Sequence, residues 1–261
     1  MEQPGYYLAT LRANAPLMQN ITNKVAQNIA ANVQLAAGAS PAMVDNRAES
    51  APFAQLADAL SINIGTPDPE TAGAMMDAAQ VMNDRGCPWV LDPVGVGITG
   101  YRRDLAARLV ALRPTVIRGN ASEILTLVGA EAAASGVDSG DTVEAAEGAA
   151  RELALRTGKV VAVTGPVDHV TDGTRAILVE NGHPLMPKVT ALGCALSALV
   201  AAFLVRQPPL EATVAALAYY GLAGERAGAG AAGPGSFQVR FLDALHAITP
   251  EDLNAGAKVR A

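Results

Sequence analysis

The residues Lys188-Val-Thr-Ala-Leu-Gly-Cys194 lead from a short extended stretch into the apolar run Cys194–Val205, setting a small-residue turn and a thiol at a helix N-terminus. First-turn N–H groups of a helix have no partner inside it, so a turn ending at Gly193 offers backbone donors to phosphate or another anion. Such a cradle suggests phosphoryl transfer; the competing reading is a packing turn with Cys194 as a small buried hydrophobe. Asp92-Pro-Val-Gly-Val-Gly97 adds a carboxylate at the end of an apolar run, placed either to hold Mg²⁺ directly or through water, or to close its own turn. In Asn120-Ala-Ser-Glu123 the spacing describes a capping box, and equally a Glu123 that orders water around a metal while Arg118 meets a nucleotide phosphate. Thr164-Gly165 presents a hydroxyl at a strand end, or a plain turn. Met43, after Gly38 and Ser40-Pro-Ala, is a thioether suited to the edge of a flat heteroaromatic ring, or a core residue.

These clusters need a scaffold that brings strand ends together. Short apolar runs alternate with Ala-rich helical stretches: Leu60–Ile64 before Pro69–Asp84, Trp89–Asp92 before Arg102–Leu112, Thr115–Ile117 before Ala121–Val128, and Val160–Thr164 after Thr142–Thr157. The alternation predicts an α/β fold with a mostly parallel central sheet and helices on both faces. In such sheets the site lies beyond the carboxyl ends of the strands, and Asn63-Ile-Gly65, Asp92, Arg118-Gly-Asn120 and Thr164-Gly165 each follow one. Asn20-Ile-Thr-Asn23 is expected to open a helix. Asp168–Thr171 and Arg175–Glu180 around Asp172-Gly-Thr174 read as a hairpin forming the antiparallel edge of the sheet. Leu210–Gly233 reads as an Ala/Gly-rich helical region, and Gly233-Pro-Gly-Ser236 as the start of another helix.

Composition narrows the function. The 261 residues suit one large domain, residues 1–261, with no low-complexity linker. A net charge of −6 without a Lys/Arg cluster argues against a nucleic-acid partner. No apolar run reaches the ~20 residues of a membrane span, and Met1-Glu-Gln-Pro4 has no secretory pattern, so a cytoplasmic protein is expected. Cys87, Cys194 and the three histidines, at 169, 183 and 246, form neither a disulfide framework nor a zinc spacing. Gly95-Val-Gly-Ile-Thr-Gly100 matches the dinucleotide fingerprint, but Pro93 separates it from its strand and Glu123, the acidic residue at the right distance, falls in a helical stretch. Gly228-Ala-Gly-Ala-Ala-Gly233 follows a helix and reads as composition.

Taken together, Asn20-Ile-Thr-Asn23, Gly38-Ala-Ser-Pro-Ala-Met43, Asn63-Ile-Gly-Thr66, Leu91-Asp-Pro-Val-Gly95, Ile117-Arg-Gly-Asn-Ala-Ser-Glu123, Lys188-Val-Thr190 with Gly193-Cys194, and Gly233-Pro-Gly-Ser-Phe-Gln238 resemble the hydroxyethylthiazole kinases of the ribokinase-like superfamily. The resemblance spans about Pro16 to Asp252. It implies ATP-dependent phosphorylation of the primary alcohol of 4-methyl-5-(2-hydroxyethyl)thiazole with Mg²⁺, in thiamine biosynthesis, by a homotrimer with sites between subunits. Position by position it implies Met43, Gly193 and Asn23 on the thiazole, Arg118 and Thr164 on ATP, Asp92 and Glu123 on the hydrated metal, and Cys194 in the catalytic place. A helix N-terminus would lower the pKa of that thiol. The family typically reads Thr-Gly-x-Gly-Cys, whereas this chain reads Thr190-Ala-Leu-Gly-Cys194; Ala191 disfavours a positive φ if the turn needs one, and Leu192 adds bulk there. A kinase for another heteroaromatic alcohol such as hydroxymethylpyrimidine, and a thiazole or nucleotide binder without turnover, remain as alternatives.

Overall fold

The structure, a computed structural model, describes residues 2–129 and 141–261. The first half alternates helix and strand: α1 (Pro4–Asn14), β1 (Leu17–Ile21), α2 (Gln27–Ala37), β2 (Ser40–Met43), α3 (Arg47–Ala54), β3 (Ala59–Asn63), α4 (Pro69–Arg85) and β4 (Trp89–Asp92). It continues through α5 (Gly100–Ala111), β5 (Val116–Asn120), α6 (Ala121–Leu127), α7 (Asp141–Thr157) and β6 (Val160–Thr164). The hairpin β7 (Asp168–Thr171) and β8 (Ala176–Val179) follows, then α8 (Leu192–Phe203), α9 (Pro209–Gly228), α10 (Pro234–Ala247), α11 (Pro250–Gly256) and the short β9 (Val259–Arg260).

The described strands form one sheet of order β2-β1-β3-β4-β5-β6-β7-β8-β9, parallel from β2 to β6 and antiparallel beyond. The chain runs outward from β1 to β2 and then returns to β3 on the other side of β1, which makes β1/β3 the topological switch point. Strands β3 and β4 are buried at every position, as runs covered on both faces require. The hairpin stands where the sequence places it, but β9 pairs outside β8, so the hairpin lies one strand in from the edge.

Period-two alternation explains how the site residues come to share a face. Ala59, Val90, Val116 and Ala162 enter the large core beneath α8 and α9, whereas Leu60, Leu91, Ile117 and Val161 face the cores under α3 to α7. Residues an even number of places further on, Asn63, Asp92, Arg118 and Thr164, therefore reach the carboxyl ends of their strands on the α8 face. Helix α8 is apolar but for Ser197 and buried from Ala195 to Phe203, wedged between α2 and α9 over β3 and β4.

Two local expectations are corrected. Asn20 and Ile21 end strand β1 rather than opening a helix, which begins at Gln27. The buried polar residues of β1 are satisfied on their donor side, Gln19 Nε2 donating to the Val44 and Ser50 carbonyls and Asn20 Nδ2 to Gln34 Oε1 at 2.8 Å, while Gln19 Oε1 and Asn20 Oδ1 have no partner among the described residues. Helix α8 begins at Leu192, not Cys194, so Gly193 and Cys194 lie inside its first turn. Among the described residues no helix is long and apolar enough to cross a membrane.

Candidate active site

Ala191 is the N-cap residue of α8, at φ +62° and ψ +10°, and no side chain among the described residues caps the helix. The turn thus requires the left-handed conformation that Ala disfavours. The first intrahelical bond there runs from Ala195 N–H to the Ala191 carbonyl at 2.9 Å, which leaves the first-turn N–H groups of Leu192, Gly193 and Cys194 without a partner among the described residues. Leu192 is 3% exposed and belongs to the large core while also contributing to the cavity wall, and its carbonyl accepts from the Tyr220 hydroxyl at 2.8 Å. Its bulk is taken up largely by the core.

Arg118 reaches this turn from β5. Its Nη1 donates to the Gly193 carbonyl at 3.0 Å and lies 3.7 Å from Asp92 Oδ2, while Nη2 donates to Thr164 Oγ1. Arg118, Thr164 and Gly193 line a cavity of about 920 Å³, which continues past Asn120 and Asp168 to His183. Its size suits a nucleotide-sized ligand. Burial pushes the Asp168 carboxyl up to about 6, against a 3.0 Å hydrogen bond from Gly165 N–H and the nearby Arg118 charge.

Asp92 is fully buried at the end of β4, in register with Asn63 of β3. Its Oδ2 accepts from Asn63 Nδ2 at 2.8 Å and from Ser197 Oγ at 2.9 Å, while Oδ1 has no hydrogen-bond partner among the described residues. Burial, opposed by Arg118, pushes its pKa up to about 7. Glu123 closes the capping box of α6, its Oε2 accepting from Asn120 N–H at 2.9 Å, and its Oε1 accepts from Gly95 N–H at 3.1 Å. That second bond ties down the first glycine of the fingerprint-like loop, and Arg102 Nη1 donates to the Val94 carbonyl beside it.

Cys194 is half-buried, and its sulfur accepts from Asn23 Nδ2 at 3.2 Å. Asn23 Nδ2 also donates to Asn63 Oδ1 at 2.9 Å. Burial first, then the Asp92 carboxylate, raises the Cys194 pKa above its ordinary value. The direction is opposite to the lowering anticipated from a helix N-terminus, and it favours the neutral thiol.

The structure therefore brings Asn23, Asp92, Arg118, Thr164, Gly193 and Cys194 into one connected set, with Glu123 on the adjoining turn. Met43 stands apart: it ends the edge strand β2, paired in register with Asn20 and half-buried against the large core, and, like Asn23, Asp92, Glu123 and Cys194, it is not among the residues lining the cavity of Arg118, Thr164 and Gly193. The sequence assigned no role to Ser197, Asp168 or the Asn63 side chain. Ser197 had a signal, a lone polar residue three places after Cys194 in an apolar helix; Asn63 and Asp168 had only their places near strand ends.

A sequence model of the hydroxyethylthiazole kinase family matches residues 8–251. A hydroxyethylthiazole kinase of Cereibacter sphaeroides strain ATCC 17025 is 63% identical over the whole of both chains. One of Rhizobium leguminosarum bv. trifolii is 56% identical over 99% of this chain and 97% of its own. The solved hydroxyethylthiazole kinase of Pyrococcus horikoshii OT3 superposes with a TM-score of 0.92 at 40% identity, covering 98% of each chain. An ADP complex of Bacillus subtilis pyridoxal kinase shares the fold, with a TM-score of 0.60 at 20% identity over 78% of this chain and 90% of its own. The fold is thus ribokinase-like, and with the family match running from α1 to α11 the chain belongs to the hydroxyethylthiazole kinase family.

Proposed function

We propose that this chain, as one kinase domain over residues 1–261, transfers the terminal phosphoryl group of ATP to the primary alcohol of 4-methyl-5-(2-hydroxyethyl)thiazole, releasing ADP and the thiazole phosphate for thiamine biosynthesis. The observation that carries the reading is the meeting of the uncapped α8 turn, Arg118 and Thr164 on one cavity wall, with Cys194 the next residue after Gly193.

Free N–H groups of Leu192, Gly193 and Cys194 would receive phosphate oxygens as charge develops on them. Arg118, steered by the Gly193 carbonyl and Thr164, would present its guanidinium to the same phosphates. Cys194, a neutral thiol held by Asn23, would orient the substrate hydroxyl rather than deprotonate it, which suffices because phosphoryl transfer depends chiefly on positioning and charge neutralisation. The hydroxyl proton leaves to solvent with ADP.

The site fits Mg²⁺ as well. Asp92 offers an unpartnered buried oxygen and Glu123 a second carboxylate, both hard donors. No cluster of three or more His, Cys, Asp or Glu side chains able to hold a metal exists among the described residues, so water and the phosphates of ATP would supply the remaining ligands. Bound there, the ion would neutralise charge on the phosphates.

Met43, on an edge strand and not among the residues lining the proposed ATP cavity, suits a thiazole site completed by a neighbouring subunit, and we read the assembly as a cytoplasmic homotrimer. Light scattering coupled to size-exclusion chromatography tests that assembly; a monomer at micromolar concentration refutes it. The activity is tested by ADP release from Mg·ATP with hydroxyethylthiazole and hydroxymethylpyrimidine in parallel. Thiazole-dependent release is expected; release with the pyrimidine alone, or thiazole binding without release, would refute it.

A further inference from the structure

Four hydrogen bonds link five side chains in a row that starts and ends on α8. Cys194 Sγ accepts from Asn23, Asn23 Nδ2 also donates to Asn63 Oδ1, Asn63 Nδ2 donates to Asp92 Oδ2, and Asp92 Oδ2 accepts from Ser197, which lies one helical turn after Cys194. Asn63 links the two halves. Its amide orientation is fixed because Oδ1 also accepts from Gly65 N–H at 2.9 Å, which leaves Nδ2 for the carboxylate. Asn23 is fixed likewise, its Oδ1 accepting from the N–H groups of Val25 and Ala26 at 3.1 and 3.0 Å.

Asn63 is 1% exposed, so it has no surface with which to touch a substrate. What it touches is one residue on the acceptor side of the reaction and one on the donor side. We propose that Asn63 is a positioning residue that locks the Asn23–Cys194 pair and Asp92 into a single register, fixing the alcohol relative to the phosphate it attacks. The inference rests on the proposed kinase reading and assigns a determinant of its rate.

The physical basis is that in-line transfer is steep in distance: a displacement of about 1 Å costs on the order of a hundredfold in rate. Without the Asn63 amide, Asn23 loses one acceptor and Asp92 loses one of its two short donors. The sites for thiazole and ATP would each persist, but their mutual placement would relax.

The test measures kcat and both KM values for the unaltered chain, Asn63→Leu and Asn63→Ser, each normalised to folded protein by thiazole-binding stoichiometry from calorimetry. Expected is a kcat at least tenfold lower in both variants, with thiazole and ATP KM values within about threefold of the unaltered chain. A second readout is a double-mutant cycle. Cys194→Ser and Ser197→Ala should be non-additive in kcat with Asn63 present and additive in the Asn63→Ser background. A kcat within threefold of the unaltered chain, or a loss accounted for by fewer binding-competent subunits, overturns the inference alone. An unaltered chain without thiazole-dependent ADP release overturns the kinase reading and the inference with it.

Discussion

The Cys194 sulfur is a hydrogen-bond acceptor of Asn23, 3.2 Å from Nδ2, and the same amide nitrogen leans on Asn63. A sulfur fixed in this way, with its pKa raised by burial and by Asp92, has its lone pair directed at an amide and its proton retained. It can orient a hydroxyl but is a poor base. Cys194→Ser should therefore keep measurable turnover, with kcat lowered by less than the ~10²-fold that marks the loss of a general base. Steady-state ADP release by the folded variant decides it, and abolished turnover with intact ATP binding would assign Cys194 the proton-transfer role instead.

Ala191 holds φ +62° at the cap of α8, where glycine has no steric penalty. Replacing Ala by Gly removes that penalty and restores freedom to the unfolded chain, two opposing effects of which the first is larger at a positive φ. Ala191→Gly should stabilise the protein by about 0.5 kcal/mol, read as a shift in the midpoint of denaturant unfolding at unchanged slope. A lower midpoint would show that the turn holds Ala without strain.

Much of this arrangement was legible in the chain because β4 and β6 are short, continuously apolar up to their last residue, and end in polar residues of the site, while β3 is interrupted only by Ser61 before it ends in Asn63. Alternation alone then puts Asp92, Arg118 and Thr164 at neighbouring strand ends. Strand β1 was hidden because Gln19 and Asn20 are buried, with partners in segments 14 to 31 residues away that no local pattern reveals. The role of Asn63 was hidden for a different reason. Its pairing with Asp92 depends on the register of two strands and its bond to Asn23 on the order β1-β3-β4, neither of which a strand-by-strand reading supplies. Nor does the pattern fix where α8 starts, since Leu192 is drawn into the helix by burial in the core beneath it.

Asp92 makes stability depend on pH. A carboxyl with a folded pKa of about 7, against an ordinary 3.8, holds in the folded chain a proton that the unfolded chain has already released. Metal-free stability should then fall as pH rises from about 4 to about 7 and level off above, with Asp168 adding to the slope up to about 6. The Asp92 share is up to about 4 kcal/mol at 1.36 kcal/mol per pKa unit. Asp92→Asn mimics the neutral acid, and denaturant titrations between pH 4.5 and 7.5 should show it losing less stability than the unaltered chain. Parallel curves would place the Asp92 pKa outside that window.

Glu123 serves a cap in this structure and a metal in the proposed reaction, and one substitution separates the two. Gln keeps a single acceptor oxygen, so Glu123→Gln can satisfy either Asn120 N–H or Gly95 N–H but not both, and should cost about 1 kcal/mol for the lost hydrogen bond. A Gln at this position still completes a capping box, so α6 should remain folded. If Glu123 does nothing more, the Mg²⁺ concentration for half-maximal rate at fixed ATP stays where it was. If its charge also orders the hydrated ion, that concentration should rise about tenfold, the equivalent of 1.4 kcal/mol, while thiazole KM is unchanged. The second result is expected, because the negative charge of Glu123 acts on Asp92 to raise its pKa, after burial as the main cause, and a divalent cation bound at Asp92 would relieve that repulsion.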